Sequence, residues 1–482
     1  MELVVDQVVG TQLGYIPRRF WWTKRITIGS TVLVVLIVGL VFGATSASQR
    51  QLDAQIESYR AAGDPVYVED FNVFKDIPDD ENAATYYEKA ELAYTWPAGI
   101  AAKVRLNDLH RASLNSTSNA FVSEIERLIN TNGETIELLR KGGRCAGVEW
   151  GYTLTSPLYI APLPSLSGCR DLGKLLGISA IQAHGGGHDD DALDLLISLK
   201  RLGDHRFEEP PALVGHMVAL SITSLTCQAV EHIGHALVLG SNSDATQANT
   251  SVRRQATVLI EELLDESALA WSRSNTLAFE RATLIDSVDQ IGKGLAVGWY
   301  PTPPPPMSWL TRPLFIEHSR EVAGITTAIK LAADMDTYSQ AKKHFPDLNE
   351  FLNTGVSWLM PAHILMPPLE RLIYLDFRIR ADRRMAAVSL AIRLFEIDHG
   401  SRPQSLDELV PAYLDAIPLD PFAEKATPIQ YVPSAIPPVL YSVGMDGVDE
   451  GGKYHLRRNG SLYPDRADLV YFLNGDRPKG KY

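Results

Sequence analysis

A glycine-rich acidic loop near the C-terminus carries the residues of this chain that are best suited to chemistry. Carboxylates alternate there with glycines, in the order Asp446, Gly447, Asp449, Glu450, Gly451 and Gly452. Carboxylate oxygens on a backbone that glycine allows to turn tightly suit a hard cation such as calcium. The ligand order of an EF-hand is absent, and Asp and Gly are also common in plain solvated turns. The residues alone therefore leave two interpretations open, a calcium site and a hairpin turn.

Two histidines one helical turn apart, His232 and His235, are the second candidate for metal binding. Their spacing matches neither of the zinc-protease motifs HExxH and HxxEH, and the sequence offers no evident third ligand. His184 and His188 stand beside three aspartates at positions 189–191, but a turn that caps the following helix explains that cluster more simply. We therefore expect neither histidine pair to hold a metal ion.

Motifs of the common catalytic and nucleotide-binding sites are missing from the sequence. It has no GxSxG elbow, no Walker loop and no GxGxxG between a strand and a helix. The formal net charge of −13 argues against a nucleic-acid-binding protein, which would present a basic surface to phosphates. The sequence therefore predicts no catalytic residue, no organic cofactor and no nucleic-acid partner.

An uncharged apolar run from Ile26 to Ala44 decides the placement of the rest of the chain. As a helix, about 19 residues span roughly 30 Å of hydrocarbon, and a helix satisfies every peptide group there. Basic residues precede the run at positions 18, 19, 24 and 25, together with an aromatic belt at 20–22. This flank predicts a single-pass protein of the inner membrane, with a cytoplasmic N-terminus and most of the chain outside the cytoplasm.

The alternative for this run is a cleavable signal peptide, because the small residues at 45–47 would suit a cleavage site. A retained anchor is favoured, since the run is longer than a usual signal core and a long segment precedes it. Either interpretation exports the chain. We expect a cytoplasmic tail at 1–25, a transmembrane helix at 26–45 and an extracytoplasmic region after it.

The region from 46 to 368 has mainly helical periodicity. Leucines at helical spacing occur on both sides of the glycines at 185–187 and predict a helical hairpin. This pattern resembles a tetratricopeptide-type (TPR) helix pair, although the regular repeat of that family is missing. Acidic residues at 79–81 precede a helix that is expected to start near Asn82, and prolines at 301–306 predict a linker or surface strap.

Three cysteines, Cys145, Cys169 and Cys227, are too few for a disulfide-rich scaffold. Cys145 and Cys169 could close one loop in an oxidising compartment, and the alternative is three buried thiols. The sequence leaves this choice open, because it does not fix the distance between the two residues.

The region from 369 to 482 predicts a small α+β domain. One long helix can be drawn from Leu369 to His399, with Met385, Val388, Ile392 and Phe395 on one apolar face. Ser405 and Glu408 form a capping box for a short second helix. Four β-prone runs follow, at 429–432, 439–443, 454–456 and 469–473. They predict a small antiparallel sheet packed against the long helix.

Within this region, LDPF at 419–422 and YSVGMDG at 441–447 follow a helix that ends in a glycine-containing segment. This order resembles the periplasmic head of the major pseudopilins of type II secretion. The resemblance implies an α+β head whose loop after the YSxG strand binds one calcium ion. Carried over by position, Asp446 is a ligand, and Asp449 and Ser442 are the further expected ligands. The anchor and the head are far apart in this chain, unlike in a pseudopilin, so we expect a reused module and not a pilus subunit.

The layout as a whole resembles a group of membrane-anchored proteins from planctomycete bacteria, through PDDENAA at 78–84, LDLLISLKRL at 193–202 and DLVYFL at 468–473. That group carries no assigned activity, so the resemblance implies topology and not chemistry. The predicted fold is mainly α, with one transmembrane helix, an irregular TPR-like hairpin region and a pilin-like α+β head.

The function that we expect is that of a non-catalytic, membrane-anchored scaffold or interaction protein of the envelope, with a protein partner and a calcium-binding head. One alternative is an extracytoplasmic hydrolase whose site lies between the helical region and the head. The other is an accessory component of a secretion assembly.

Overall fold

The computed structural model describes residues 21–115, 121–158, 166–209, 212–239, 247–292, 307–345, 362–455 and 467–475. Within these ranges the chain is mainly helical, as predicted, and has one small sheet. The helices are α1 (Trp21–Ala61), α2 (Ala83–Ala93), α3 (Leu106–Ser113), α4 (Val122–Thr131), α5 (Gly133–Arg144), α6 (Leu166–Gly185), α7 (Asp189–Phe207), α8 (Leu213–Ile233), α9 (Gln247–Leu264), α10 (Ser267–Gly292), α11 (Met307–Ala333), α12 (Tyr338–His344) and α13 (Ala362–His399). The strands are β1 (Gln430–Val432), β2 (Val439–Ser442) and β3 (Leu469–Phe472).

The N-terminal apolar run and the segment after it form one unbroken helix. α1 continues through the candidate cleavage site at 45–47 and ends just before Gly63, which takes a positive φ of +77°. Side chains of the apolar run are mostly exposed, whereas Leu52, Ile56 and Tyr59 near the other end are buried. The segment that follows the apolar run is therefore a continuation of the same helix.

One hydrophobic core extends through the helical body into the C-terminal region. It includes Leu109 of α3, Leu196 of α7, Ile222 of α8, Phe377 of α13 and Tyr471 of β3. The main packed helix pairs are α6 with α7, α7 with α8, α10 with α11, and α2 with α5. Removal of this apolar surface from water is the main force that holds the helices together.

Two local predictions for the body are confirmed. α6 and α7 pack against each other across a turn in which Gly187 has a φ of +79°. At the start of α2, the side-chain oxygen of Asn82 accepts the N–H of Ala84 at 3.1 Å. The same side chain also bonds both backbone groups of Glu149, at 2.8 and 2.9 Å, so this helix start is fixed to a distant segment.

The long C-terminal helix belongs to both parts of the molecule. Predicted from Leu369, it begins earlier, at Ala362, and it ends at His399, before Gly400 with a φ of +72°. Its predicted apolar face is buried, at Met385, Val388, Ile392 and Phe395. α13 packs against α8 and α9 of the body and also against β2 and β3. The predicted domain boundary at 369 therefore falls inside one helix, and head and body share a core.

The head sheet has the order β1-β2-β3 and is antiparallel throughout. The runs at 429–432, 439–443 and 469–473 form strands that are one residue shorter than predicted. In the run at 454–456, the first two residues are not in a strand, and the third lies outside the described residues. The capping box is confirmed: Glu408 accepts the N–H of Ser405 at 3.0 Å, at the start of a short 3-10 helix.

The structure shows all three cysteines as free thiols, with Cys169 and Cys227 buried and Cys145 partly exposed. The structure therefore shows no bridge between Cys145 and Cys169, and the alternative of three buried thiols holds for Cys169 and Cys227 but not for Cys145. The proline-rich segment at 301–306 and most of the predicted cytoplasmic tail lie outside the described residues.

Candidate functional site

The structure separates one of the three expected calcium ligands from the other two. Ser442 is buried on β2 and donates its hydroxyl to a carboxylate oxygen of Asp420, at 2.7 Å. Asp449 accepts a hydrogen bond from the hydroxyl of Tyr441, the neighbour of Ser442 on the strand, at 3.0 Å. Because successive side chains of a strand point to opposite faces, Ser442 and Tyr441 face opposite sides of the sheet. Ser442 therefore has its partner inside the head, away from Asp449.

Asp446 and Asp449 are exposed and shape the turns of the loop. Asp446 accepts the N–H of Val448 at 3.1 Å, and Asp449 accepts the N–H of Gly451 at 2.9 Å. Such bonds are typical of Asx turns, and each of them uses only the Oδ1 atom. In the described part of the chain, no group of three or more His, Cys, Asp or Glu is arranged to hold a metal ion. Calcium binding by Asp446 and Asp449 stays a prediction.

Asp468, which the sequence analysis did not single out, holds the acidic loop against β3. It is 1% exposed and accepts the backbone N–H of Gly452 at 2.7 Å and that of Glu450 at 3.4 Å. Burial is the largest cause that raises the pKa of Asp468 to about 6, and the negative charges of Asp449 and Glu450 contribute. The only sequence signal for this role is an aspartate directly before an apolar strand.

Asp420 joins the two motifs that carry the pseudopilin resemblance. Besides the hydroxyl of Ser442, it accepts the N–H of Phe422 at 2.9 Å and the N–H of Val443 at 2.8 Å. Burial raises the pKa of Asp420, and these three donors act in the opposite direction. The aspartate of LDPF therefore fixes the end of the YSVG strand, which gives both motifs a structural role.

His232 and His235 lie where the end of α8 meets the end of β3. Glu231 accepts the N–H of Phe472 at 3.0 Å, and Nδ1 of His232 lies 3.2 Å from the carbonyl oxygen of Gly475. The cavity beside His235 has a volume of about 10 Å³, which is room for one water molecule. These residues dock the head on the body, and this cavity is too small for a substrate.

The other predicted cap residues also have structural partners. Nδ1 of His184 lies 2.6 Å from Asp189, whose second oxygen accepts the N–H of Val238 at 2.6 Å. His188 precedes the first residue of α7 but makes no side-chain capping bond. The cluster therefore joins the hairpin turn to the segment that follows α8.

A buried group of Ser272, His216 and Asp376 has the residue types of a hydrolase triad, and the sequence analysis missed it. Oγ of Ser272 lies 2.7 Å from Nδ1 of His216, whose Nε2 lies 3.8 Å from Asp376, too far for a hydrogen bond. Asp376 also binds Arg273 and Arg380, both at 3.0 Å. All three triad-like residues are buried, and burial lowers the pKa of His216 to about 4. A hydroxyl sealed in the core cannot meet a substrate, so the group ties α8, α10 and α13 together.

A cleft of about 710 Å³ lies on the helical body, between the end of α7 and the start of α10. Two chain segments, 70–75 and 148–154, supply its other walls. The side chain of Asn72 links these segments through two hydrogen bonds with the backbone of Leu154, at 2.8 and 2.9 Å. The lining includes Asp70, Phe71, Phe74, Lys75, Glu149, Trp150, Tyr152, Glu208, Glu209, Trp271 and Asn275. This volume is in the range of small-molecule pockets, so the cleft is a candidate binding site.

A buried charged pair stands behind the cleft. The guanidinium of Arg206 lies 4.5 Å from the centroid of the Trp150 ring and forms an ion pair with Glu209. Within the described residues, neither carboxylate oxygen of Glu209 has a hydrogen-bond partner. Burial raises the pKa of Glu209 to about 8, against the opposing charge of Arg206. Burial therefore favours the neutral form of this acid, and the charge of Arg206 favours its ionised form.

The cleft has no local signature that sequence reasoning could have found. Its aromatic residues range from Phe71 to Trp271, and helices that lie between them in the chain bring them together.

Comparison with known proteins adds no relative to these observations. The sequence matches no protein-family model, no curated protein and no solved structure. The function has to follow from the geometry described above.

Proposed function

We propose that this chain is a single-pass, membrane-anchored interaction protein that acts by binding and not by catalysis. The observation that carries the proposal is α1. Its apolar first part, from Ile26 onward, is long enough to cross a membrane and is exposed, and its last part is packed into the body. A second apolar helix, Leu213–Ala236, also passes that test, but 72% of its most apolar window is buried. α1 is therefore the membrane anchor of the proposal.

The contacts at the end of α1 support a stiff connection between anchor and body. Leu52, Ile56 and Tyr59 pack with apolar residues of α10 and α11. Just after the helix, Asp64 forms ion pairs with Arg281 and Lys330. The helix has no break, and Asp64 just after it is fixed by two positively charged side chains. We expect such a connection to hold the body at a set distance from the membrane.

The proposed orientation places the N-terminus in the cytoplasm and the body outside the inner membrane. Cys145 is a natural reporter of this orientation, because it is partly exposed and the other two cysteines are buried. A membrane-impermeant maleimide should label the full chain in intact spheroplasts, and Cys145→Ser should abolish the labelling. Labelling that appears only after lysis would mean the opposite orientation.

The same preparation tests whether the apolar run is a cleavable signal peptide. The intact mass of the purified chain should include the apolar run, and the protein should stay in the membrane fraction after alkaline carbonate extraction. A mature chain that begins near residues 45–47 would mean that the apolar run is a cleaved signal peptide and that the body is exported without an anchor.

We propose further that the acidic loop of the head binds calcium through Asp446 and Asp449, on the strength of its carboxylates and of the pseudopilin resemblance. Ser442 is not part of the proposed set, because its hydroxyl is bound to Asp420 inside the head. Ligand binding to the folded form alone raises the thermal midpoint. Calcium should therefore raise the midpoint of the full chain more than magnesium does.

Variants separate this effect from general salt binding. Asp446→Ala should remove the calcium response, whereas Asp415→Ala, a matched change at an exposed aspartate elsewhere in the head, should keep it. Ser442→Ala should lower the midpoint with and without calcium by the same amount. A calcium response that survives Asp446→Ala would place the site elsewhere, and no response at all would reduce the loop to a turn.

A protein partner in the envelope completes the proposal. The TPR-like hairpins of the body and the pilin-like head are both arrangements that other proteins use to bind partners. A partner with its own pseudopilin heads would make this chain an accessory component of a secretion assembly. A hydrolase site between body and head is not proposed, because the cavity beside His235, among the described residues, holds only about 10 Å³.

A further inference from the structure

The cleft between α7 and α10 combines aromatic surface with negative charge. Phe71, Phe74, Trp150, Tyr152 and Trp271 line it. Phe74 and Trp271 are about half exposed, at 52% and 48%, although neither is needed to close the core. Large exposed aromatic side chains that gather around a cleft are typical of binding surfaces.

The charges of the lining have one predominant sign. Three carboxylates, those of Asp70, Glu149 and Glu208, line the cleft against the single ammonium group of Lys75, and the fourth acid, Glu209, is paired with Arg206. Lys75 is already paired with Glu208. The cleft is therefore negative overall, and it complements a cation better than a neutral or anionic ligand.

The walls of the cleft are held in place before any ligand arrives. Oε1 and Oε2 of Glu149 accept the backbone N–H groups of Gly151 and Lys75, both at 2.7 Å. The Nε1–H of Trp150 donates to the carbonyl oxygen of His205 at 3.0 Å. Phe71 packs edge-on against Phe279 of α10, with ring centroids 5.4 Å apart. A site that is preorganised in this way does not lose binding energy to ordering its own loops.

Aromatic faces attract organic cations, and desolvated carboxylates pair with their charge. Arg206 already shows the first contact inside this molecule, above the ring of Trp150. We propose that the cleft binds an alkylammonium ligand, with its aliphatic part on Trp271 and Phe74 and its ammonium groups at the carboxylates. Two sources share this chemistry, a free polyamine and the lysine side chains of a partner segment. The inference does not depend on the orientation of the chain in the membrane.

The experiment uses the purified full chain in detergent micelles and titrates it with spermidine, with a trilysine peptide and with a neutral glucose hexasaccharide. Calorimetry should show saturable binding of one or both cations and none of the sugar. Tighter binding of spermidine would assign a free polyamine, and tighter binding of trilysine would assign a lysine-bearing segment. Raising the salt concentration should weaken binding, because the contact is partly ionic.

Two variants with matched controls locate the binding. Trp271→Ala should lower the affinity for the cation about tenfold. Trp96→Ala, at another exposed tryptophan, should leave that affinity unchanged. Glu208→Gln should also lower the affinity for the cation severalfold, whereas Glu126→Gln, at an exposed acid on α4, should not change it. Thermal unfolding of each variant confirms that it folds.

Three results would overturn the inference. The first is the absence of saturable binding by either cation, and the second is binding of the sugar in their place. The third is an equal loss of affinity in Trp271→Ala and in Trp96→Ala, which would put the bound cation outside the cleft.

Discussion

In the described part of the chain, two helices are apolar enough to cross a membrane, and their surroundings are opposite. In the described chain these are Trp21–Ala61, whose most apolar window is 0% buried, and Leu213–Ala236, where 72% of that window is buried. Length and composition alone do not separate them. An apolar helix is therefore a core element when other helices cover it, and a candidate anchor when none does.

The two helices differ in where they place polar side chains. In α1, Thr27 and Thr31 donate to carbonyl oxygens of their own helix, one turn earlier, at 2.8 Å each. α8 carries ionisable groups that bond to other elements: His216 contacts Ser272, and Glu231 accepts the N–H of Phe472. A membrane helix must satisfy its polar groups internally, whereas a core helix can use its neighbours.

An arginine placed in each helix tests the difference between them most strongly. Ile222→Arg in α8 puts an unpaired charge at a position that is 0% exposed, and it should destabilise the body by more than about 4 kcal/mol. Val35→Arg in α1 lies at a position that is 63% exposed. It should leave the body folded and should weaken membrane insertion by about 3 kcal/mol. Urea unfolding and membrane fractionation measure the two effects.

Each variant serves as the control for the other. If Val35→Arg unfolded the body, the first part of α1 would be a core element after all. If Ile222→Arg left the unfolding midpoint unchanged, α8 would not be buried as described.

A second test concerns the point where the exposed part of α1 ends and the body begins. Asp64 is ion-paired with Lys330 and with Arg281, which is 1% exposed. Asp64→Asn leaves the buried guanidinium without its counter-charge and should lower the free energy of unfolding by about 3 kcal/mol. The exposed apolar run should be unaffected, so membrane fractionation should not change.

The effect of Asp64 should depend on pH in one direction. Burial alone would raise its pKa, but the hydrogen bonds and charges of Lys330 and Arg281 outweigh burial and lower it below 3.8. A carboxylate with a lowered pKa stabilises the fold above its unfolded-state pKa and loses that effect as pH falls through the folded-state value. The difference between wild type and Asp64→Asn should be full above about pH 5 and should shrink below about pH 4. A difference that grows in acid would contradict the ion pair.

A third test addresses the contact that covers the end of α8. A Cβ atom at Gly475 would lie 2.3 Å from the carbonyl oxygen of His232, and the residue has a φ of +77°. Gly63, just after α1, has the same φ of +77° and nothing within 4 Å of its Cβ position. Gly63→Ala should therefore lower the free energy of unfolding by about 1 kcal/mol, from backbone strain alone. Gly475→Ala should lower it by about 2 to 3 kcal/mol.

The pair isolates the docking of the head, because the backbone strain is common to both variants. Equal losses in the two would mean that the head does not rest on α8 through this glycine.

The sequence was most informative where the signal is local. The capping box of Ser405, the start of α2 at Asn82 and the core face of α13 depend on residues a few positions apart, and all three were predicted. The apolar run of α1 and the hairpin between α6 and α7 were also predicted from local features, which are a run of apolar residues and a helical pattern interrupted by turn glycines.

The groups that the sequence did not reveal consist of residues far apart in the chain. Asp420 and Ser442 were each part of a motif, but only the fold shows that they bond to each other and that Ser442 faces inward. The cleft depends on the approach of Trp150 to Trp271 through intervening helices. The order of residues along the chain does not show which distant segments touch. A site of this kind is therefore recognised only when the fold is known.

The test with the smallest expected effect removes two methyl groups from each apolar helix. Val230 of α8 is 1% exposed, and Val230→Ala should lower the free energy of unfolding by about 1 to 2 kcal/mol, since it deletes buried apolar surface. Val35→Ala deletes the same groups from an exposed position of α1 and should change the unfolding of the body by less than about 0.5 kcal/mol. Urea unfolding of the full chain in micelles measures both. A cost for Val35→Ala equal to that for Val230→Ala would show that a protein surface, and not lipid, covers the first part of α1.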